Sequence, residues 1–314
     1  MSALSNKHQR TIMAEKGKGW GDYFIDLLIR AILALLLALP YKWRVPLMGW
    51  IMARIVAPLA GYIKRIHENL AYTCPDLPPS EVKKLCYQVP NNAGRSLIEI
   101  YSGDEFILRV RETPIEGPGA EALANAHSTG RPVVLVTGHF GNYDVVRSAL
   151  IAKGYRVGAI YMPMTNHYYN HHYEAAISHI GTPLFARGRK GLAEMVKFLR
   201  GGGMTFFGVD QYMGHGEDLM FFGRPAPTAL SAAKMALKMG AILVPIYGIR
   251  ADNGMDFTIQ TDAPVPHTDA ATMTQALNDS LEHVVRLHMG QWLWIHRRWK
   301  PERQRTRAAA RMDP

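Results

Sequence analysis

Short apolar runs alternate with amphipathic stretches along most of the chain after Arg131. The runs are rich in β-branched and aromatic residues and predict strands at Val133–Thr137, Val157–Tyr161, Met204–Val209, Ile242–Ile249 and Phe257–Thr261. Apolar residues at helical spacing predict helices at Tyr143–Ala152, Tyr168–Ile180, Leu192–Arg200, Leu230–Met239 and Thr272–His288. This alternation is typical of α/β folds. We therefore predict a mixed, mostly parallel central sheet flanked by helices.

The first 75 residues have a different pattern. The segment Tyr23–Leu39 is apolar except for Asp26 and Arg30, which lie four apart and are expected to pair on one helix face. A helix of this length covers about 26 Å, slightly less than the roughly 30 Å hydrocarbon core of a bilayer. The charges inside the apolar run, and the lack of an A-x-A triplet after it, argue against a cleaved signal peptide.

A second apolar segment, Pro46–Tyr62, has Trp43 and Trp50 near its start and basic residues around it. Aromatic rings and cations beside an apolar helix suit the headgroup region of a membrane. We expect residues 1–75 to be membrane-docking helices, although an ordinary buried helical pair is the alternative. Residues 76–314 are expected to form the α/β domain, beginning with a helical stretch from Glu81 to Leu108 that breaks near Pro90.

Composition and charge exclude several classes of protein. Of 314 residues, 48% are hydrophobic and 20% charged, which excludes intrinsic disorder. Two cysteines, Cys74 and Cys86, are too few for a disulfide framework or a multi-cysteine zinc site. The net charge of +10 is concentrated at the two ends, in residues 1–66 and 296–311, and predicts contact with an anionic surface. Nucleic acid is the weaker candidate partner, because the aromatic residues lie inside apolar helices.

One group of residues predicts catalysis. After the strand Val133–Thr137 come Gly138, His139, Gly141 and, in the first turn of the next helix, Asp144. A neutral imidazole can take a proton from a hydroxyl group, and a carboxylate at its other nitrogen fixes the tautomer. Backbone N–H groups at the two glycines are expected to approach a developing oxyanion. The His-x4-Asp spacing alone occurs by chance in a chain of this composition, so its position between strand and helix is what favours catalysis.

Other chemistries have little support. The sequence lacks a Gly-x-Ser-x-Gly elbow, a Walker motif, a Gly-x-Gly-x-x-Gly loop and a His-Glu-x-x-His pair. The group His167, His171 and His172 has metal-binding spacing, but a surface or headgroup-facing role is the preferred interpretation. We predict no metal site.

Several motifs together resemble a known family, the LpxL/HtrB-type lysophospholipid acyltransferases, which include the late lipid A and mycobacterial mannoside acyltransferases. The resemblance covers nearly the whole chain. It rests on the following segments: Lys64-Arg65, Glu68-Asn69-Leu70, Gly94-Arg95, Glu99, His139 to Asp144, Arg187, Lys190-Gly191, Val209-Asp210-Gln211, Phe221 to Ala226, Thr228, Gly240-Ala241, Val244-Pro245 and Gln291 to Lys300.

The resemblance implies transfer of a fatty acyl group from an acyl thioester to a lipid hydroxyl at the cytoplasmic face of the inner membrane. The fold implied is that of the glycerolipid acyltransferases. His139 would be the general base and Asp144 its orienting partner. Residues implied to bind substrate are Asn142, Arg187, Arg189, Lys190, Asp210, Gln211 and Thr228. No resident cofactor is expected, since acyl carrier protein or coenzyme A supplies the acyl group as a co-substrate.

One departure from the family pattern leaves the acceptor open. Lipid A enzymes tend to carry Arg before the proline that follows the second core strand, where this chain has Tyr161-Met162-Pro163. A lyso-aminolipid or another lysophospholipid is therefore an alternative to a lipid A precursor. A non-catalytic lipid-binding protein is the alternative from another class. The segment 23–39 is expected either to lie on the membrane or to span it once.

Overall fold

The computed structural model describes residues 17–302. The basic residues before Gly17, and those from Arg303 onward, lie outside the described residues. The helices are α1 Trp20–Leu37, α2 Tyr41–Ile51 continued by a π turn Met52–Val56 and a last turn Ala57–Leu59, α3 Tyr62–Thr73, α4 Pro79–Tyr101, α5 Asp104–Val110, α6 Ala120–Thr129, α7 Tyr143–Ala152, α8 His167–Ile180, α9 Arg189–Arg200, α10 Ser231–Met239 and α11 Ala270–Leu287.

The described chain forms a seven-stranded, mostly parallel sheet flanked by helices, as the alternating pattern predicts. The strands are β1 Ile115–Glu116, β2 Val133–Thr137, β3 Val157–Tyr161, β4 Leu184–Ala186, β5 Met204–Gly208, β6 Glu217–Phe221, β7 Arg224–Thr228, β8 Ile242–Arg250 and β9 Phe257–Thr261. The sheet order is β1-β9-β8-β2-β5-β3-β4, and only the β8–β9 pair is antiparallel. Strands β6 and β7 form a separate hairpin.

Side chains of the central strands point alternately to two helical layers. Val133 and Leu135 of β2 pack in a core with α6 and α7, whereas Val134 and Val136 pack with α9, α10 and α11. All five residues of β2 are buried, which is usual for a strand covered on both faces. Strand β2 therefore lies in the interior of the domain, with β5 and β8 as its neighbours.

The N-terminal helices join the same core while keeping an apolar outer side. Leu33, Leu36, Val45 and Met48 of α1 and α2 are buried in the cluster that contains β2. Asp26 and Arg30 form the expected ion pair at 3.0 Å, and Asp26 also bonds His172 of α8 at 2.7 Å. Large apolar side chains remain exposed on α1, α2 and the turns after α2: Trp20, Phe24, Ile25, Leu27, Leu28, Leu35, Trp43, Leu47, Trp50, Ile55 and Leu59.

The prediction of a break near Pro90 is wrong. Helix α4 runs through Pro90 without interruption, and the chain bends instead at Gly103, which has φ of 54°. A proline inside a helix removes one backbone hydrogen bond. Burial of Leu85, Val89 and Ile98 along the same helix offsets that loss.

Within residues 17–302, none of the helices taken singly has the length and apolarity to cross a bilayer. Two consecutive helical segments, Tyr41–Leu59 and Tyr62–Thr73, are together long and apolar enough to cross a bilayer, but they meet at an angle of 85°.

Candidate active site

His139 and Asp210 meet where two adjacent strands end. Strands β2 and β5 are parallel, and Thr137 is paired with Gly208. His139 and Asp210 each lie two residues beyond that pair, so the register alone places them side by side. Functional groups commonly collect at this carboxyl edge of a parallel sheet.

His139 and Asp210 are joined by two hydrogen bonds, one from the imidazole and one from the backbone of His139. The Nδ1 atom of His139 lies 2.8 Å from Oδ1 of Asp210, and the backbone N–H of His139 donates to Oδ2 at 2.7 Å. Trp292 donates its indole N–H to the same Oδ2 at 2.9 Å. Because an ionised carboxylate only accepts hydrogen bonds, His139 carries its proton on Nδ1 and presents Nε2 as a base. Among the described residues, Nε2 forms no hydrogen bond.

The pKa values agree with a histidine–carboxylate pair. Burial disfavours the charged imidazole, but the negative charge of Asp210 and its hydrogen bond outweigh this and raise the pKa of His139. Burial likewise opposes ionisation of Asp210, yet His139 holds the pKa of that carboxyl well below its usual range. The His139 side chain is 29% exposed, whereas that of Asp210 is fully buried. The site thus combines an accessible base with a buried, ionised partner.

The expectation that Asp144 orients His139 is wrong in this geometry. Asp144 lies in the first turn of α7 and accepts hydrogen bonds from Nε and Nη2 of Arg147, at 2.9 and 2.6 Å. Arg147 in turn donates to the backbone carbonyls of Ile177 and Gly181. Three residues along a helix bring side chains to the same face, so Asp144 faces Arg147. The carboxylate therefore orients Arg147, which in turn links α7 to α8.

Helix α4 holds the loop between β2 and α7. Asn92 and Ser96 both donate to the carbonyl oxygen of Gly141, at 3.0 and 2.9 Å. Gly141 has φ of 53°, and a Cβ there would lie 1.9 Å from the carbonyl oxygen of Gly248. Only glycine therefore fits this turn.

Gly141 and Asn142 do not have the roles expected of them. The N–H of Gly141 donates to the carbonyl of Gln291, so it is not free to bind an oxyanion. Asn142 is buried, caps α7 through Oδ1 and donates to Oε2 of Glu99 at 2.8 Å. Glu99 is fully buried against Arg250. Asn142 is therefore part of the support of the loop rather than a residue that contacts substrate.

Thr228 and Gln211 both accept hydrogen bonds from Arg298. Thr228 is buried, and its hydroxyl accepts a hydrogen bond from Nη2 of Arg298 at 2.6 Å. Arg298 also donates to the carbonyl oxygens of Gln211 and Pro227. Burial lowers the pKa of Arg298 to about 10. The Thr228 hydroxyl itself donates to the carbonyl oxygen of Ala226 at 2.7 Å, so it is occupied by internal bonds and the expected substrate contact has no support.

The three basic residues expected to bind substrate lie farther along the same edge. Arg187 follows β4, and its guanidinium contacts the sulfur atoms of Met162 and Met213. Strand β4 is three strands from β2, roughly 14 Å at the usual strand spacing. Arg189 and Lys190 are exposed in the first turn of α9, with Lys190 lying 4.0 Å from Glu194. The backbone of this basic group thus lies three strands away from the strand that precedes His139.

Sequence reasoning did not identify His296 as a member of the site. Its ring centre is 4.6 Å from that of His139, and the planes are nearly perpendicular. Burial, together with the neighbouring imidazole, lowers the pKa of His296 to about 4. The motif Gln291 to Lys300 contains this residue, but nothing in its spacing relates it to His139 across more than 150 intervening positions.

His172, one of the three histidines with metal-binding spacing, is engaged by other side chains. His172 bonds Asp26 through Nε2 and lies 3.0 Å from the Tyr101 hydroxyl through Nδ1. In the part of the chain from 17 to 302, no three His, Cys, Asp or Glu side chains converge as metal ligands.

Comparison with known proteins points to one family. The sequence model of the bacterial lipid A biosynthesis acyltransferase family matches residues 20–301. The chain is 23% identical over 247 residues to the lipid A biosynthesis lauroyltransferase of Escherichia coli (strain K12), which covers 76% of this chain and 78% of that protein. It is 21% identical to lipid A biosynthesis acyltransferase 2 of Shigella flexneri, over 73% and 77% of the two chains. It is 23% identical to a phosphatidylinositol mannoside acyltransferase of Mycobacterium tuberculosis (strain CDC 1551 / Oshkosh), over 61% and 62%.

The pairing of His139 with Asp210 can be tested by titration. We expect Asp210→Asn to lower the pKa of His139, because the charge that favours the imidazolium form is removed. Asp144→Asn is the matched control and is expected to leave that pKa unchanged. Imidazole nitrogen shifts followed by NMR against pH measure both. An equal change in the two variants, or none in Asp210→Asn, would contradict the assignment.

Proposed function

This chain belongs to the bacterial lipid A biosynthesis acyltransferase family, and on that premise we propose that it moves a fatty acyl group from an acyl thioester to a hydroxyl of a lyso-lipid. The chain is an acyltransferase, as are its named relatives. Beyond the family, we propose an acyl thioester as the donor, His139 and Asp210 as the catalytic residues, and the membrane as the place of reaction. The observation that carries it is the free Nε2 of His139, opposite a Nδ1 held by buried Asp210.

In the proposed reaction, Nε2 of His139 takes the proton of the acceptor hydroxyl as its oxygen attacks the thioester carbonyl. A new C–O bond forms, and the tetrahedral intermediate then releases the thiolate as the C–S bond breaks. The proton on Nε2 passes to the sulfur, so the products are an ester and a free thiol. Asp210 stabilises the transient imidazolium. No acyl-enzyme and no metal are part of this scheme.

The proposed donor is acyl carrier protein or coenzyme A, each of which presents the acyl group as a thioester. The relatives' names indicate two different acceptors, so they support the chemistry more than the acceptor. Met162 stands before Pro163, where lipid A enzymes tend to carry Arg, and its sulfur contacts Arg187. This loss of one basic group favours a lyso-aminolipid or another lysophospholipid as the second candidate acceptor.

We also propose that the protein docks on the cytoplasmic face of the inner membrane. The exposed apolar side chains of α1 and α2 support this, because monomeric soluble proteins rarely expose apolar patches of such extent. Trp43 and Trp50 beside Lys42 and Arg54 suit the headgroup region. The basic charge near both chain ends would favour an anionic leaflet.

The catalytic proposal predicts that His139→Ala loses activity by about 10²–10⁴-fold, the usual contribution of a general base. The assay measures free thiol released from an acyl thioester in the presence of a lyso-lipid extract, together with the diacyl product. His283→Ala, which removes an exposed histidine of α11, is the control and should retain full activity. A fully active His139→Ala enzyme would contradict the proposal. A wild-type protein that binds lipid but releases no thiol would show the non-catalytic alternative.

The docking proposal predicts that serine at Phe24, Leu28 and Leu35 together lowers binding to anionic vesicles at least tenfold. These side chains are exposed, so their replacement should not unfold the protein, yet each loses roughly 1.5 kcal/mol or more of membrane burial. Flotation with phosphatidylglycerol vesicles measures the bound fraction. Leu287→Ser, which changes an exposed leucine of α11, should bind as the wild type does. Equal flotation of the triple variant would contradict the proposal.

A further inference from the structure

A cavity of about 360 Å³ lies between α2, α3 and the segment that follows α11. Met52 comes from the π turn after α2, Tyr62 and Arg65 come from α3, and Ile295, His296 and Arg297 come from the C-terminal segment. The volume falls within the usual range of small-molecule sites.

His296 connects the cavity with the candidate catalytic histidine. It lines the cavity, and its ring centre is 4.6 Å from that of His139. Its Nε2 atom is buried and has no hydrogen-bond partner within residues 17–302. A buried polar atom without a partner is costly, and in native proteins such an atom is explained by strain, by a chemical role or by a bound water or ion.

The cavity suits a group with negative charge. No lining residue is acidic, and within residues 17–302 neither Arg65 nor Arg297 forms an ion pair. Among the described residues, the Arg65 guanidinium donates a hydrogen bond to the carbonyl oxygen of Ile295, at 3.3 Å. Guanidinium groups bind phosphate and carboxylate oxygens with well-defined geometry.

The remaining wall of the cavity is apolar and adjoins the exposed side of the N-terminal helices. Met52, Tyr62 and Ile295 form part of this wall. Trp50 and Ile55, which flank Met52 along the chain, are exposed. An amphiphile with a charged head and a hydrocarbon chain therefore matches both kinds of surface.

We propose that this cavity is the subsite for the acceptor, and that it selects an amphiphile whose anionic group, of the phosphate class, is bound by Arg65 and Arg297 beside His296. This inference rests on the proposed function, which requires a lipid hydroxyl near His139. The His296 imidazole would hydrogen-bond a polar atom of the acceptor between the anionic group and the reacting hydroxyl. His296 is thus a residue that positions substrate.

The charge state of His296 is consistent with this role. Its lowered pKa, about 4, keeps the ring neutral at physiological pH. A neutral imidazole both donates and accepts hydrogen bonds, and it does not repel the proton that His139 acquires during the reaction.

Three probes test the subsite: dodecyl phosphate, dodecyl maltoside and inorganic phosphate. The two detergents are added below their micellar concentrations, and all three probes are added to the full chain carrying ¹⁵N-labelled histidine. The His296 resonances are followed by NMR. We expect dodecyl phosphate to shift them saturably, the neutral maltoside to leave them unchanged, and inorganic phosphate to act only at concentrations at least tenfold higher. Equal effects of the two detergents would overturn the assignment to an anionic group. Equal affinity for inorganic phosphate would indicate a free-phosphate site and overturn the assignment to an amphiphile.

Variants locate the binding groups. We expect Arg65→Gln with Arg297→Gln to weaken dodecyl phosphate binding at least tenfold, whereas the matched pair Arg200→Gln with Lys238→Gln should leave it unchanged. Arg65 also donates a hydrogen bond to a backbone carbonyl, so its replacement by Gln can unfold the protein. If the double variant does not fold, Arg297→Gln alone and the charge-preserving Arg65→Lys replace it in the binding measurement. Undiminished binding in Arg297→Gln, or in the folded double variant, would overturn the proposal.

The acyl-transfer assay separates this inference from the proposed function. Thiol release without any His296 shift by dodecyl phosphate would refute the subsite and leave the function standing. A saturable shift in a protein that releases no thiol would refute the function but leave an anionic amphiphile site.

Discussion

The hydrogen-bonded pair of His139 and Asp210 is the interaction on which the candidate site depends. It joins the ends of two central parallel strands, and the indole of Trp292 completes the coordination of the carboxylate. Burial of the ionised Asp210 carboxylate would cost free energy of folding without these hydrogen-bond donors. The same bonds that make its burial tolerable also fix the tautomer of His139 and leave Nε2 as the base.

The rest of the domain holds this pair in place from several directions. Helix α4 binds the loop through Asn92 and Ser96, while Glu99 links Asn142 to buried Arg250. The C-terminal segment pairs with the loop, since the N–H of Leu293 donates to the carbonyl of His139 at 2.9 Å. A polar network of this kind specifies one geometry and leaves little freedom to the loop between β2 and α7.

Elements with strong local patterns could be predicted from the sequence. Strands β2, β3 and β9 and helix α7 have the predicted bounds, because apolar runs, the alternating pattern of β9 and a capped, amphipathic helix are local properties. The short strand β4 and the hairpin β6–β7, which contains Pro225 and Pro227, have no such pattern and were not predicted. Helix α4 shows the opposite effect, since its tertiary burial outweighs the local signal of Pro90.

Only the part of the site that depends on residues close together in the sequence was predicted. His139 was identified from its position between a strand and a helix, and Asp210 was expected among the residues that bind substrate. Its pairing with His139 could not be derived, because it depends on the register of β2 with β5, which are separated by more than 60 residues. Asp144 was misassigned because its nearness in sequence suggested a contact that Arg147 takes instead. His296 required the full fold.

The pH dependence of kcat/KM for acyl transfer tests the central claim most directly. If His139 must be neutral to act, activity should rise with pH through a single inflection above 6.5, because Asp210 raises the pKa of the imidazole. Asp210→Asn should move that inflection to lower pH and reduce the plateau, since charge and orientation are lost together. An inflection that stays in place when Asp210 is replaced would contradict the account.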